Sequence, residues 1–520
     1  MSAEAPVRSD PGEPAGSIRE TAETADSFDT GPRRNLWALL GGPLAGLVLA
    51  LVLPSSLAFE GRTVAGCALW MAIWWMTEAA PIPVTSMLPL VLFPLFGMDT
   101  MENVAAPYAS SVVFLVLGGV ILGLATEKSQ LHLRIALLTI RAMGTKPSQI
   151  VFGMMLASAF ISAWVSNTAT AVIMVPIGVS ILQLVRSIDK DAVDTKFAAS
   201  MMLGIAYGVT VGSMATLIGQ PPMALMKAYM ASELGYDMGF GQWMLVGVPF
   251  AAVMLVLAWL VLTKLVFRSS MTEIPGGADL IRDELAKLGR MTTPERRVSA
   301  IFAAAIFCWV AVPFIAAIPA VEAALPFLGK ISDTQVAMAA AIACFLVPAQ
   351  KRSEAKGSAP LLGWGSARDI PWGLLLLFGG GLSLSAMFTQ TGLSQWIGTQ
   401  VGALQGMPPV VILLIAAIVG LGLTELTSNT ATAAAFFPIM GAVAVGIGMD
   451  PVLMTIVMTL AVCSAFMLPV ATPSNAVAFG TGEVSIKQMV RAGVWLNLVA
   501  IVLIVVTLYT LLPLAFGISI

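Results

Sequence analysis

Between Leu36 and Leu514 the chain is an almost unbroken series of apolar stretches, many long enough to span a bilayer. Roughly 20 such residues cross the hydrocarbon as a helix, because there each backbone N–H and C=O must find its partner inside the segment. Only 11% of the residues are charged, against roughly a quarter in a soluble domain. The expected fold class is an all-α polytopic membrane protein. The apolar stretches run over 36–53, 63–80, 84–98, 110–127, 147–185, 198–230, 243–267, 298–318, 333–349, 371–390, 409–447, 451–480 and 490–515. Residues 1–35 are rich in Glu, Asp, Ser, Pro and Gly, and read as a disordered tail without a signal-peptide pattern.

The regions 147–185 and 409–447 are read as hairpins that enter and leave on one side, which leaves eleven crossings. Lysine and arginine test that reading, since they accumulate on the cytoplasmic side. With the N-terminus in the cytoplasm and the C-terminus outside, 24 of the 27 basic residues fall inside; only Arg62, Lys227 and Lys330 do not. If both regions were ordinary crossings, the basic segments would alternate sides and the bias would vanish.

The chain also repeats itself. "VSNTATAVIMVP" (Val165 to Pro176) returns as "TSNTATAAAFFP" (Thr427 to Pro438), with Ser166 and Ser428 262 residues apart. Gly118-Gly119 and Gly380-Gly381 keep that spacing, and Ala215-Thr216 matches Ala471-Thr472 at 256. Five crossings separate the hairpins, and an odd number turns the second copy upside down. Inverted repeats with polar, broken helices near the midplane belong to secondary transporters.

A lone Ser or Thr in a membrane helix is usually bonded back to its own carbonyl or joins two helices. A repeated Ser-Asn-Thr is different. Asn is costly in lipid unless its amide is paired, and it is tolerated where the backbone breaks and lines a cavity. Such a break offers helix N-termini to an anion and carbonyls and hydroxyls to a small hard cation. Gly219 with Pro221-Pro222, and Pro469 with Pro473, mark two further breaks. Ser162 and Thr424 lie four residues before Ser166 and Ser428, on the same helix face, where they would supply cation oxygens. Glu425 reads either as a structural acceptor fixing the cation site or as a proton-sensitive group, and equally as an interfacial carboxylate. Glu78 shares those readings; Glu127 and His132 read as interfacial.

No Arg or Lys lies in the motif regions. A dianion bound there takes its compensating charge from helix N-termini and bound cations, which favours cation-coupled symport over an exchanger with a fixed cationic side chain. Paired motifs suit a substrate with two similar ends, such as succinate, fumarate or malate, with sulfate as the runner-up. The Walker phosphate loop, a GxSxG elbow and paired catalytic aspartates are missing, and the single His132 excludes HExxH zinc chemistry, so neither a pump nor an enzyme is expected. A channel would need a continuous polar pore, whereas these polar groups cluster at one depth. The four cysteines have no CxxC spacing and read as core residues, and a net charge of −2 does not suggest nucleic acid.

The doubled "SNTATA", "LFGGGLSLS", "WWMTEAAPIPVTSMLPL" (Trp74 to Leu90) and "SAFMLPVATPSNAVAFG" (Ser464 to Gly480) resemble the divalent-anion/sodium symporter family, over roughly residues 36–515. The resemblance implies a homodimer working as an elevator in the cytoplasmic membrane. Scaffold helices would occupy 36–127 and 243–370, the latter with an amphipathic cytoplasmic linker at 268–297. The transport domain would comprise 128–242 (hairpin 147–185, broken helix 198–230) and 371–520 (hairpin 409–447, broken helix 451–480). It implies Na⁺ as the co-transported ion at two sites, one of Ser162, Ser166, Asn167 and the Gly219 carbonyl, the other of Thr424, Thr427, Asn429 and the Ala471 carbonyl. Substrate carboxylates would meet Ser166, Asn167, Thr168, Ser428, Asn429, Thr430, Thr472 and Pro473. Gln220 and Met223 depart from the family's usual Ser or Thr and Asn. Gln220 is longer and carries an amide, and it is included among the substrate-facing residues.

Overall fold

The computed structural model describes residues 36–144, 146–188, 194–269, 271, 277–350, 359–402 and 406–518. The tail expected over 1–35 lies outside them. The described chain is helical. Its first part comprises α1 (Leu36–Val52), α2 (Phe59–Thr77), the short α3 (Ile82–Thr85) and α4 (Leu88–Leu95), α5 (Ser111–Lys128) and α6 (Leu131–Met143). The first hairpin is α7 (Pro147–Ser162) and α8 (Asn167–Ile188); the first broken helix is α9 (Thr195–Gly212) and α10 (Pro221–Glu233). Next come α11 (Phe240–Leu260), α12 (Gly277–Leu288), α13 (Thr293–Ala316), α14 (Asp333–Leu346), α15 (Trp372–Gln390) and α16 (Leu393–Gln400). The second hairpin is α17 (Pro409–Thr424) and α18 (Asn429–Gly446), the second broken helix α19 (Pro451–Val462) and α20 (Pro473–Gly480), and α21 (Ile486–Phe516) ends the chain.

Among the described residues eight helices are long and apolar enough to cross a membrane. Each region expected as a hairpin holds two helices with a gap between them, and each expected broken helix is interrupted, within a few residues of the sequence limits. Proline sets many of these starts. Pro147, Pro221, Pro409, Pro451 and Pro473 each stand in the first turn of a helix, where a missing N–H costs nothing and φ is already helical. The element order from α5 to α11 recurs from α15 to α21. Three elements differ from expectation. Residues 128–146, between two apolar stretches and carrying four of the basic residues, contain α6; α16 lies between the stretches 371–390 and 409–447; and the linker of 268–297 ends early, because a Thr292–Glu295 capping box starts α13 at Thr293.

The first halves of the broken helices form the centre of the fold. Every residue from Phe197 to Gly212 and from Val452 to Val462 is buried. α9 packs on α7 through Gly208 and Gly212. A Cβ on Gly212 would stand 2.1 Å from the Ala159 carbonyl oxygen, and one on Gly208 2.6 Å from that of Met155. Where lipid surrounds the helices, such close backbone approach is what holds two of them together. Gly212→Ala is expected to force α7 and α9 apart and to lower the melting temperature in detergent, by an overpacking cost of about 1–3 kcal/mol. An unchanged melting curve would contradict this packing.

Candidate cation and anion site

Hydrogen bonds link the two hairpin tips (163–166 and 425–428) to the two helix breaks. At the first tip, the Thr216 hydroxyl of the first break donates to the Ala163 carbonyl. The breaks then meet each other: Thr210 and Ser474 share a hydrogen bond of 3.2 Å, and the Tyr207 hydroxyl donates to the Phe466 carbonyl at 2.8 Å. At the second tip, the Thr424 hydroxyl lies 2.8 Å from the Val462 carbonyl. The second halves cross over, α10 packing on α18 of the other repeat and α20 on α8. An ion pair closes the arrangement, with the Arg186 guanidinium donating to both Glu483 oxygens at 2.6 and 2.7 Å.

Four helices, α8, α18, α10 and α20, start at these tips and breaks. Ser166 begins α8, its hydroxyl accepting the Ala169 N–H at 3.3 Å. Ser428 is the residue before α18. Thr472 begins α20, accepting the Asn475 N–H at 3.2 Å and sharing a hydrogen bond with Ser474 at 3.1 Å. Gln220 precedes α10 but does not cap it. Pro473 and Thr168 are exposed, Thr430 and Thr472 buried. Oriented N–H groups at such starts carry a partial positive charge that suits carboxylate or sulfate.

The cation oxygens sit beside them. Thr424 Oγ1 lies 2.5 Å from Asn429 Oδ1 and 2.8 Å from the Val462 carbonyl. One hydroxyl has one proton, so two of these three oxygens face each other without hydrogen, an arrangement that a small hard cation relieves. The Thr427 hydroxyl is engaged by the Leu423 carbonyl and Thr432, which leaves its own carbonyl as a ligand. In the first repeat, Ser162 donates back to the Ala159 carbonyl at 3.2 Å, as helical serines commonly do. Gly219 presses on Ser213, whose carbonyl oxygen would be 2.2 Å from an added Cβ, so only glycine fits. Asn167 Oδ1 and Gln220 Nε2 are buried without a hydrogen-bond partner. An unpaired acceptor and an unpaired donor of this kind call for a cation and an anion respectively.

Several residues here escaped the sequence reading. Tyr207, Thr210, Ser474 and Asn475 join the halves or brace the second break, with Asn475 Nδ2 donating to the Leu468 carbonyl at 3.1 Å. Trp164, beside the first Ser-Asn-Thr, is buried against Phe240, Phe302 and Trp309; a tryptophan next to the motif was the available signal. His132, expected at an interface, is buried, its Nδ1 3.0 Å from the Thr126 carbonyl. Glu78 is exposed at the left-handed end of α2. Glu425 is an acceptor for backbone N–H groups of the second break.

The two repeats pack unequally on the remaining helices. α10 packs on α5 and α15, and α18 packs on α2 and α15. Their counterparts α20 and α8 pack on α9 and on each other; among the described residues neither makes a comparable contact with α5 or α15.

Residues 34–514 match the family model described as the sodium:sulfate symporter transmembrane region. The chain is 40% identical over 486 residues to the sodium-dependent dicarboxylate transporter SdcS of Staphylococcus saprophyticus, covering 93% of this chain and 92% of that one. It is 38% identical over 490 residues to SdcS of Staphylococcus aureus strain USA300, with the same coverage. Two solved structures share the fold at 14% identity. The YdaH transporter of Alcanivorax borkumensis has a TM-score of 0.53, covering 87% of this chain and 98% of its own. MtrF of Neisseria gonorrhoeae has 0.58, covering 90% and 98%. The chain belongs to the sodium:sulfate symporter family, the divalent-anion/sodium symporters that its doubled Ser-Asn-Thr motif resembles.

Proposed function

We propose that this membrane protein is a secondary active transporter coupling Na⁺ to the uptake of C4-dicarboxylates such as succinate, fumarate and malate. The observation that carries this reading is the second hairpin tip. There Asn429 Oδ1 and the Val462 carbonyl oxygen lie 2.5 and 2.8 Å from the Thr424 hydroxyl, at the N-terminus of α18. A cation held there supplies positive charge to the anion beside it, so anion affinity depends on sodium. The names of the SdcS relatives support both the ion and the substrate class.

In this reading Na⁺ binds at Ser162, Ser166, Asn167 and the Gly219 carbonyl, and at Thr424, Thr427, Asn429 and the Ala471 carbonyl. The dicarboxylate spans Ser166, Asn167, Thr168 and Gln220 on one side and Ser428, Asn429, Thr430, Thr472 and Pro473 on the other. Helices α6–α10 and α15–α21 form the moving body, α1–α5 and α11–α14 a scaffold, and two copies assemble in the cytoplasmic membrane with the N-terminus inside. The unequal packing fits one end of an elevator stroke: α10 and α18 lie on the scaffold helices α5 and α2, while among the described residues α8 and α20 make no comparable contact with them, on the side that lysine and arginine make cytoplasmic.

The test is uptake of labelled succinate into proteoliposomes under an inward Na⁺ gradient, with K⁺ as control and fumarate, malate, citrate and sulfate as competitors. Uptake that needs Na⁺ and is displaced by fumarate and malate is expected. Uptake without Na⁺ that requires internal dicarboxylate would replace the symporter by an exchanger.

A further inference from the structure

The two breaks are built differently. In the first, α9 ends at Gly212 and a 3₁₀ turn, Ser213–Ala215, follows directly. In the second, residues 463–468 intervene between Val462 and the turn Pro469–Ala471. At the 256-residue spacing of Ala215 and Ala471 these residues correspond to 207–212, the end of α9, so they are that stretch unwound, and their backbone N–H groups need acceptors. Glu425, on the second hairpin tip, supplies them. Oε1 accepts the N–H of Phe466 at 2.9 Å and of Met467 at 3.1 Å, and Oε2 accepts those of Met467 at 3.0 Å and Leu468 at 3.3 Å. Asn497 of α21 donates to Oε1 at 2.7 Å. All these partners are donors, so the side chain serves as an acceptor only. The position 262 residues earlier is Ala163, which has no side-chain oxygen and accepts the Thr216 hydroxyl through its backbone.

We infer that Glu425 is a positioning residue that preforms the second cation site by tying the hairpin tip to the second break. Glu425 adjoins Thr424, whose hydroxyl meets Val462, and the segment it grips leads into the Ala471 carbonyl and Thr472. Phe466 is held from both repeats, its N–H by Glu425 and its carbonyl by Tyr207. The tip and the break therefore keep their spacing before any ion arrives, whereas in the first repeat Asn167 Oδ1 remains unpaired. This rests on the cation reading of the second tip.

The experiment measures the Na⁺ dependence of succinate uptake in proteoliposomes for Glu425→Gln, Asn497→Leu and Thr424→Val. Glu425→Gln keeps shape but sets an NH₂ against one or more of the backbone N–H donors. Half-saturating Na⁺ is expected to rise about tenfold, the loss of one charge-assisted hydrogen bond, with the succinate half-saturation at saturating Na⁺ unchanged. Asn497→Leu removes one donor and is expected to shift Na⁺ dependence two- to threefold in the same direction; it carries the test if Glu425→Gln does not fold. A lower maximal rate with unchanged Na⁺ half-saturation in both variants would overturn the positioning role while Thr424→Val still shifts it. If Thr424→Val leaves Na⁺ dependence unchanged as well, the cation site itself is misplaced.

Discussion

Asn429→Ala and Asn167→Ala are each expected to abolish sodium-driven uptake while leaving a folded protein. Each asparagine stands at the start of a hairpin's second helix and is proposed to face both the ion and a substrate carboxylate. A hydrogen bond to a charged group contributes about 1.5–3 kcal/mol. Losing two such contacts removes roughly two to four orders of magnitude of transport efficiency. Folding should survive, because alanine is the better helix former. Neither variant should lose thermal stability measured without sodium. Asn429 Oδ1 crowds the Thr424 hydroxyl at 2.5 Å, and that hydroxyl keeps the Val462 carbonyl as its acceptor once the amide is gone. Asn167 Oδ1 has no partner, so its removal relieves a buried unsatisfied acceptor and leaves the melting temperature equal or higher. Near-normal uptake by both variants would reject the site, and a sharply lowered melting temperature in either would make that asparagine a structural residue.

The asymmetry between the two tips, Glu425 in one and Ala163 in the other, marks the limit of what the sequence makes legible. The hairpins, the breaks and the motif residues were readable because each leaves a local trace: a polar tripeptide in an apolar run, a proline at a helix start, a repeated spacing. α6 and α16 left none. They span 13 and 8 residues, too short to register as apolar runs, and the charges of 128–146 pointed to a loop. The partners of Glu425 lie 41 to 72 residues away, at a distance no local pattern encodes. The repeat itself concealed the difference, since two copies of Ser-Asn-Thr suggest two like sites. Only the side-chain geometry separates a tip braced by a carboxylate from one braced by a backbone carbonyl.

A cross-link between positions 227 and 333 is expected to stop uptake, and reduction to restore it. Lys227 lies on α10, its side chain only 7% exposed, and Nζ is 2.7 Å from Asp333 Oδ2 and 2.6 Å from the Met238 carbonyl. Asp333 opens α14 and also accepts the Phe240 N–H at 2.9 Å. In the two-body reading α10 belongs to the moving part and α14 to the scaffold, so the stroke must break this pair. The charges impose their own cost. Removing one member of a buried ion pair strands the other, at about 3–5 kcal/mol. Lys227→Met is therefore expected to lower the melting temperature sharply, and Lys227→Met with Asp333→Asn to recover much of the loss. Cysteines at both positions, joined by a reducible bifunctional thiol reagent in a background lacking Cys67, Cys308, Cys344 and Cys463, convert the pair into a reversible tether. Uptake that persists through complete cross-linking would mean that α10 and α14 travel together, and the boundary between the moving body and the scaffold would then have to be drawn on the far side of α14.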